Sequence, residues 1–237
     1  MTKRGPLAAA MRFAMSVPGQ ILVNTAAFTL PEDLRMRPEW RVLDVGCGRA
    51  GVVRVLADRA RLERPPIGLD PSHAMLSLAR RDIATEGGPS IGLGQGVAMH
   101  LPFLDESFDL LLCGHVFKYL TNDELRLALP EMRRVLKPAA IALAWEFAPT
   151  KSALLDRWNR YVLTREVPLV RLRNYGELRA LAYEAGFDWV EHARLRPFLL
   201  PPIPRVSFIM SKAPEGWRRT VIEGQPALQY APPSVEQ

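Results

Sequence analysis

The chain has 237 residues, 48% of them hydrophobic and 24% charged, with a formal net charge of +6. That is enough apolar material for one sizeable α/β core, so the disulfide staples of very small domains are not required. The two cysteines, Cys47 and Cys113, stand outside any C-x-x-C or Cys/His cluster; no zinc site is expected, and the composition suits a reducing cytoplasm.

The first twenty residues, MTKRGPLAAAMRFAMSVPGQ, start basic and turn apolar, as a signal peptide does. Arg12 interrupts the apolar run and Pro18-Gly19 ends it early, which argues against one. Residues 1–40 read instead as a helical cap, with Met11, Phe13 and Met15 either walling a substrate pocket or packing on the sheet edge. No window approaches the roughly 18 uninterrupted apolar residues of a membrane span. The positive charge is mostly arginine spread along the chain, a pattern of a solvated basic surface rather than a nucleic-acid groove.

From Arg41 onward, β-like and helix-like runs alternate, which predicts a mostly parallel sheet covered by helices on both faces. A first strand, Arg41–Val45, opens onto glycines and a helix over Gly51–Leu62. A second strand, Ile67–Asp70, precedes a helix capped by Ser72 and running to about Ile83. A third strand falls near Ser90–Val97. The apolar run Phe108–Gly114 predicts a strand buried on both faces. Thr121 and Glu124 form a capping box for the next helix, in which Pro130 is expected to cause a kink or a break. A fifth strand follows over Ala140–Phe147. Residues 149–173, rich in arginine and containing Trp158 and Tyr161, fit neither period and read as an insertion or lid. Asn174 and Glu177 cap a further helix that Gly186 stops. Strands near Trp189–Leu195 and Val206–Ser211 complete the core at residue 213, and the proline-rich tail, 214–237, reads as irregular.

The chemistry concentrates in RVLDVGCGRAG, Arg41 to Gly51. A strand that ends in a glycine turn and opens a helix brings backbone N–H groups close to a ligand. Gly46, Gly48 and Gly51 match the dinucleotide spacing, but that signal is weak alone. Asp70 ends the second strand about 20 residues on, where a carboxylate accepts from both hydroxyls of a ribose. An adenosine-type ligand follows. Asp44 then discriminates by sign: a carboxylate beside the helix start opposes a pyrophosphate and favours an ammonium. S-adenosylmethionine presents an α-amino group and a sulfonium there; a nicotinamide dinucleotide presents two phosphates.

At this point the sequence resembles the class I S-adenosylmethionine-dependent methyltransferases, in particular the small-molecule group that includes quinone-biosynthesis enzymes. VLDVGCGRAG, IGLDPSHAML, GVAMHLPFLDESFDLLLCGHVFKYL, RRVLKPAAIALAWEF and YGELRALAYEAGFDWVE are similar to that family's motifs and occur in its order, over about Arg41 to Ser211. The resemblance implies a Rossmann-like three-layer sandwich around a seven-stranded sheet with one antiparallel strand near the C-terminus. It implies S-adenosylmethionine as cofactor and S-adenosylhomocysteine as product. By the same resemblance Asp44, Gly46, Cys47 and Gly48 line the methionine end, Asp70 and Pro71 the ribose, and Met75, Val97 and Ala98 the adenine. His115 follows the fourth strand, where the family points a side chain towards cofactor and acceptor.

Three positions depart from the family pattern. Val97 stands where many members place an aspartate that accepts from the adenine amino group. Ala50 replaces a common glycine, and Ala139-Ala140 replaces a glycine pair.

Methyl transfer from a sulfonium mainly requires alignment and exclusion of water, so few fixed catalytic groups are expected. His115 is the candidate base or acceptor-orienting group, because imidazole titrates near neutral pH; a packed, structural histidine is the alternative. Glu146, at the end of the fifth strand, is a candidate for orienting substrate or for pairing with a lid arginine. Tyr119, Trp158 and Tyr161 are further substrate candidates. His73, His100 and His192 read as surface or loop residues, and Cys113 as a buried small hydrophobe. Three other functions stay open: a nucleic-acid methyltransferase, suggested by the charge but lacking an N/D-P-P-Y/F motif after the fourth strand; a non-catalytic nucleoside-binding protein, suggested by Val97; and a dehydrogenase, suggested by the glycine spacing. A small-molecule methyl acceptor is the expected partner. The sequence does not set the oligomeric state, and a homodimer is one open reading.

Overall fold

The computed structural model describes residues 36–150, 152–163, 170–193, 205–222 and 225–230. Of the expected N-terminal cap, only Met36 to Trp40 fall within these; Met11, Phe13 and Met15 lie outside the described residues.

The core alternates as the sequence predicts. Strand β1 (Val42–Val45) leads through the glycine turn into α1 (Gly51–Ala60). Strand β2 (Ile67–Asp70) leads into α2 (His73–Glu86), with the Ser72 hydroxyl accepting from the Met75 N–H as an N-cap. Strands β3 (Gly92–Gln95) and β4 (Phe108–Gly114) follow, then a 3-10 turn over Phe117–Tyr119, helix α3 (Asn122–Val135) and strand β5 (Leu136–Phe147). Next come α4 (Ala153–Leu163), α5 (Tyr175–Glu184), β6 (Trp189–His192) and β7 (Arg205–Ser211).

These seven strands form one sheet in the order β3-β2-β1-β4-β5-β7-β6. The first five are parallel, and β7 runs antiparallel to both of its neighbours. The order reverses between β1 and β4, so their carboxyl ends diverge into the crevice where open α/β sheets bind ligands. Alternation along the central strands feeds a core on each face. Leu110 and Leu112 of β4 pack with Val53, Leu56 and Ala79 of α1 and α2. Leu111 and Cys113 pack on the other side with Leu125, Leu129 and Met132 of α3 and Leu178 of α5.

Several boundaries depart from the sequence reading. Helix α1 stops at Ala60 because Arg61 turns left-handed, at φ 50°. Pro130 does not split α3. Its missing N–H deprives only the carbonyl one turn back, at solvent-facing Arg126, while Leu125, Ala128, Leu129, Met132 and Val135 stay packed along the buried face. Strand β5 starts at Leu136, before Lys137-Pro138, and its register against β4 shifts between Phe108 and Leu110. Ala139 in that irregular stretch sits at φ 62°, the conformation for which a glycine is usual. Within the aperiodic lid region lies helix α4. The tail is not irregular: β8 (Trp217–Ile222) pairs antiparallel with β9 (Gln225–Tyr230) as a separate two-stranded sheet. Proline content hid it, because Pro226 occupies an otherwise alternating run. Among the described residues no helix is long and apolar enough to cross a membrane.

Candidate active site

The five parallel strands deliver Asp44, Asp70, Val97–Ala98, His115 and Glu146 to one edge of the sheet, around the β1–β4 crevice. They form two adjoining centres.

The first is the glycine loop. Gly46 and Gly48 turn left-handed, at φ 75° and 54°. The Gly46 and Cys47 N–H groups donate to the Leu69 carbonyl at 2.7 and 3.1 Å, which binds the loop to β2. A Cβ on Gly46 would stand 2.2 Å from Val116 Cγ2, so this glycine lets the loop after β1 approach the segment after β4. Arg49 Nε and a guanidinium nitrogen bond both oxygens of Asp82 on α2, at 2.7 and 2.8 Å. This bidentate pair holds the loop from outside. Sequence reasoning missed it, since one arginine among many carries no local signal.

Asp70 accepts from the N–H groups of Gly48 and Ser72, each at 2.8 Å, and is 8% exposed. Its carboxylate is thereby fixed at the mouth of the loop. Asp44 lies deeper, 4% exposed, and its carboxylate makes no hydrogen bond among the described residues. Burial, and then the neighbouring Asp70, push its pKa up to about 7. An unpaired buried carboxylate is costly unless a cation meets it. The loop therefore fits a ligand with a positive charge at Asp44 and hydrogen-bond donors at Asp70.

The Cys47 side chain turns away from this ligand space. Its Sγ would lie 2.7 Å from a Cβ on Gly68, and burial raises the thiol pKa far above its ordinary value, so only the backbone of Cys47 shapes the loop. Pro71 is exposed and Met75 half-buried beside Asp70. Val97 is 40% exposed and bridges to His100, while Ala98 is buried. Exposed Gln95, at the end of β3, donates through Nε2 to the Pro71 carbonyl at 3.0 Å. His73, His100 and His192 are exposed and Cys113 is buried, as expected.

The second centre is a buried cluster of His115, Lys118 and Glu146. His115 is left-handed, at φ 59°, and its ring stacks on Phe147 with centroids 4.3 Å apart. Its Nδ1 lies 3.4 Å from Glu146 Oε1, and its buried Nε2 has no hydrogen-bond partner among the described residues. Glu146, 1% exposed, accepts from the backbone N–H of Lys118 at 3.0 Å and of Phe147 at 2.8 Å. Lys118 Nζ stands 3.5 Å from Glu146 Oε1. The Lys118 ammonium and the His115 ring hold the Glu146 pKa down to about 2 against the opposing effect of burial. Burial drops His115 to about 4, with Glu146 opposing and Lys118 and Arg205 reinforcing that shift. At neutral pH the imidazole is uncharged. Ionised Glu146 accepts only, so the Nδ1 contact places the proton on Nδ1 and leaves a lone pair on Nε2.

Among the described residues Glu146 thus pairs with Lys118 and His115, not with a lid arginine. Of the lid arginines, Arg173 is structural: it donates to the Phe117 and Leu120 carbonyls at 2.8 and 2.7 Å and to Asn122 Oδ1 at 3.0 Å, clamping the turn that carries Lys118. Lys118 and Arg173 escaped the sequence reading because a lone lysine or arginine is normally solvated; the signal available was the apolar company of Lys118 in VFKYL. Tyr119, a substrate candidate by sequence, is 46% exposed under the Lys118 ammonium, and burial, Glu146 and Asp70 push its hydroxyl up to about 12. Trp158 and Tyr161 lie on α4, with Tyr161 53% exposed.

A family model described as a methyltransferase domain matches residues 42–139. The demethylmenaquinone methyltransferase of Listeria monocytogenes is 30% identical over 183 residues, 67% of this chain and 74% of that relative. The chain belongs to the class I S-adenosylmethionine-dependent methyltransferases. The demethylmenaquinone methyltransferase of Lactiplantibacillus plantarum is 34% identical over 144 residues, 60% of this methyltransferase-family chain and 58% of the relative. Across the first curated relatives, the match spans 45% to 62% of their own length. A solved S-adenosylmethionine-dependent methyltransferase from Methanosarcina mazei shares the fold at TM-score 0.63 and 22% identity, over 76% of this chain and 96% of that one. The sheet order and the antiparallel β7 are those of this methyltransferase fold in the present chain.

Proposed function

We propose that this chain methylates a small, ring-containing acceptor with S-adenosylmethionine, and that the acceptor is quinone-related. The observation that carries the reading is the unpaired, buried Asp44 beside the fixed carboxylate of Asp70, beneath the glycine loop. Those two groups match an ammonium and a ribose diol, and they oppose a pyrophosphate. When bound, S-adenosylmethionine supplies an electrophilic methyl group whose sulfur leaves with the bonding pair, as S-adenosylhomocysteine.

The residues of the chain divide the remaining work. Asp44 meets the ammonium, and Asp70 accepts from the ribose hydroxyls. Met75, Val97 and Ala98 border the adenine, where Val97 offers no side-chain acceptor. His115 takes a proton from the acceptor at Nε2, which is the role a neutral imidazole with a free lone pair performs. A nucleophile so freed attacks the methyl carbon in line. The Phe147 and Tyr119 rings flank the cluster and suit a planar acceptor. Names of the curated relatives, several of them demethylmenaquinone methyltransferases, support a hydroquinone ring as that acceptor.

The test has two stages. Calorimetry should show S-adenosylhomocysteine binding and no NADH binding; the reverse result rejects the cofactor reading. Incubation with S-adenosylmethionine and a panel of naphthohydroquinones, phenols and amines should then give a methylated ring compound, read by mass spectrometry. Turnover confined to amines would reject the quinone assignment.

A further inference from the structure

We propose that Lys118 is a positioning residue for methyl transfer: it neutralises Glu146 and fixes the backbone of His115, so that the imidazole stays neutral with Nε2 facing acceptor. This rests on the reading of His115 as the proton acceptor. Three observations carry it. First, Lys118 is 3% exposed, yet the 3-10 turn carries it into contact with Glu146 through both its backbone N–H and its ammonium. Burying a lysine in this way is unfavourable unless a partner holds it. Second, Lys118 Nζ also donates to the His115 carbonyl. A left-handed histidine is strained, and this bond, with the His115 N–H donating to the Trp145 carbonyl at 2.8 Å, pins it. Third, the turn is itself locked from the far side by Arg173 and by the Arg171 N–H, which donates to the Lys118 carbonyl at 2.8 Å.

The charge logic follows from the cluster. Glu146 stays ionised because Lys118 balances it. Without that ammonium, the buried carboxylate draws its compensating proton onto His115, which then cannot act as a base. Arg205 of β7, opposite Phe147, also bears on the ring and disfavours an imidazolium, while Cys113 of β4, which burial keeps as a neutral thiol, lies near Glu146 and Lys118.

The experiment compares the unaltered protein with Lys118→Met by histidine 15N and 13C NMR and by pH–rate profile. The chain has four histidines, and His115→Asn assigns the resonance. In the unaltered protein His115 should hold its proton on Nδ1 and stay neutral above pH 5. In Lys118→Met it should titrate at or above the ordinary histidine value of about 6.5. The rate should then fall at least about tenfold relative to unaltered protein at pH 5.5 and agree within about threefold at pH 8.5. S-adenosylhomocysteine affinity should be unchanged. A purely structural role would lower the rate equally at all pH values and leave the titration in place; that outcome overturns the proposal. If Lys118→Met does not fold, Lys118→Met/Glu146→Gln removes both charges. There His115 should stay neutral but lose its single tautomer, with a rate reduced at every pH; a tautomer and profile identical to those of the unaltered protein would overturn the proposal. Failure of the unaltered protein to bind S-adenosylhomocysteine would reject the methyltransferase reading while leaving the NMR result to judge the Lys118 clamp.

Discussion

Asp44→Asn is expected to make the ligand-free protein more stable at pH 8 and to weaken cofactor binding at least tenfold. Asp44 is buried, unpaired and beside Asp70, and its pKa rises from an ordinary 3.8 to about 7. A carboxyl group with a raised pKa in the folded state favours folding when protonated. Its contribution is complete below about pH 4 and is lost progressively as the pH climbs towards 7. A shift of about 3 units corresponds to about 4 kcal/mol at 1.36 kcal/mol per unit, all of it working against the folded state above pH 7. Asparagine removes that charge but leaves an amide without a partner, which costs about 1–3 kcal/mol. The net gain at pH 8 is therefore about 1–3 kcal/mol, or roughly 2–4 °C of melting temperature per kcal/mol for a chain of this size. At pH 5 aspartate is already neutral and the gain disappears. Thermal melts of both proteins from pH 5 to 8.5 measure this directly. A melting-temperature difference that does not change with pH, or a loss of stability at pH 8, refutes the reasoning. Calorimetry on the same pair closes the argument. In the unaltered protein S-adenosylhomocysteine should bind more tightly as the pH rises to about 7 and then level off, because the ammonium needs an ionised Asp44. The variant should bind at least tenfold more weakly, about 1.4 kcal/mol, with no such pH dependence.

Three further outcomes test the surrounding structure. Gly46→Ala should destabilise the fold by about 2–4 kcal/mol, since it adds a Cβ 2.2 Å from Val116 Cγ2 at φ 75°, and Val116→Ala in the same chain should recover part of the loss in a denaturation curve. Val97→Asp should tighten S-adenosylhomocysteine by about fivefold, or about 1 kcal/mol, by restoring an acceptor at a half-open position, with inosine-based analogues gaining nothing in the same titration. Ala139→Gly should raise stability by about 0.5–1 kcal/mol, because Ala139 is exposed and holds φ 62° with no buried methyl to lose; an unchanged midpoint in urea would contradict that.

The fold was legible wherever one local period ran without interruption. The β4 run Phe108–Gly114, the capping boxes Thr121–Glu124 and Asn174–Glu177 and the Ser72 cap all appear as expected, because each is decided by neighbours in sequence. Pro130 and the Pro226 strand were misjudged because a proline penalty is local, whereas packing of α3 and pairing of β8 with β9 are not. In the candidate site, the glycines and Asp70 stood out by spacing, Asp44 by the sign of its charge beside the helix start, and His115 by the family resemblance. The partners that give them their chemistry did not: Lys118 is 28 residues from Glu146, and Arg173 is 56 from Phe117.

The sequence by itself determined the alternation of strands and helices, the left-handed glycine turn and which acidic residues end which strands. These follow from backbone sterics and side-chain period, both of which act over a few residues. Only the tertiary structure decided that Asp44 is left without a partner among the described residues, that the Cys47 thiol turns inward and that Glu146 balances Lys118. Charge states in a site depend on desolvation and on groups brought together by the sheet order, and neither is a property of neighbours along the chain.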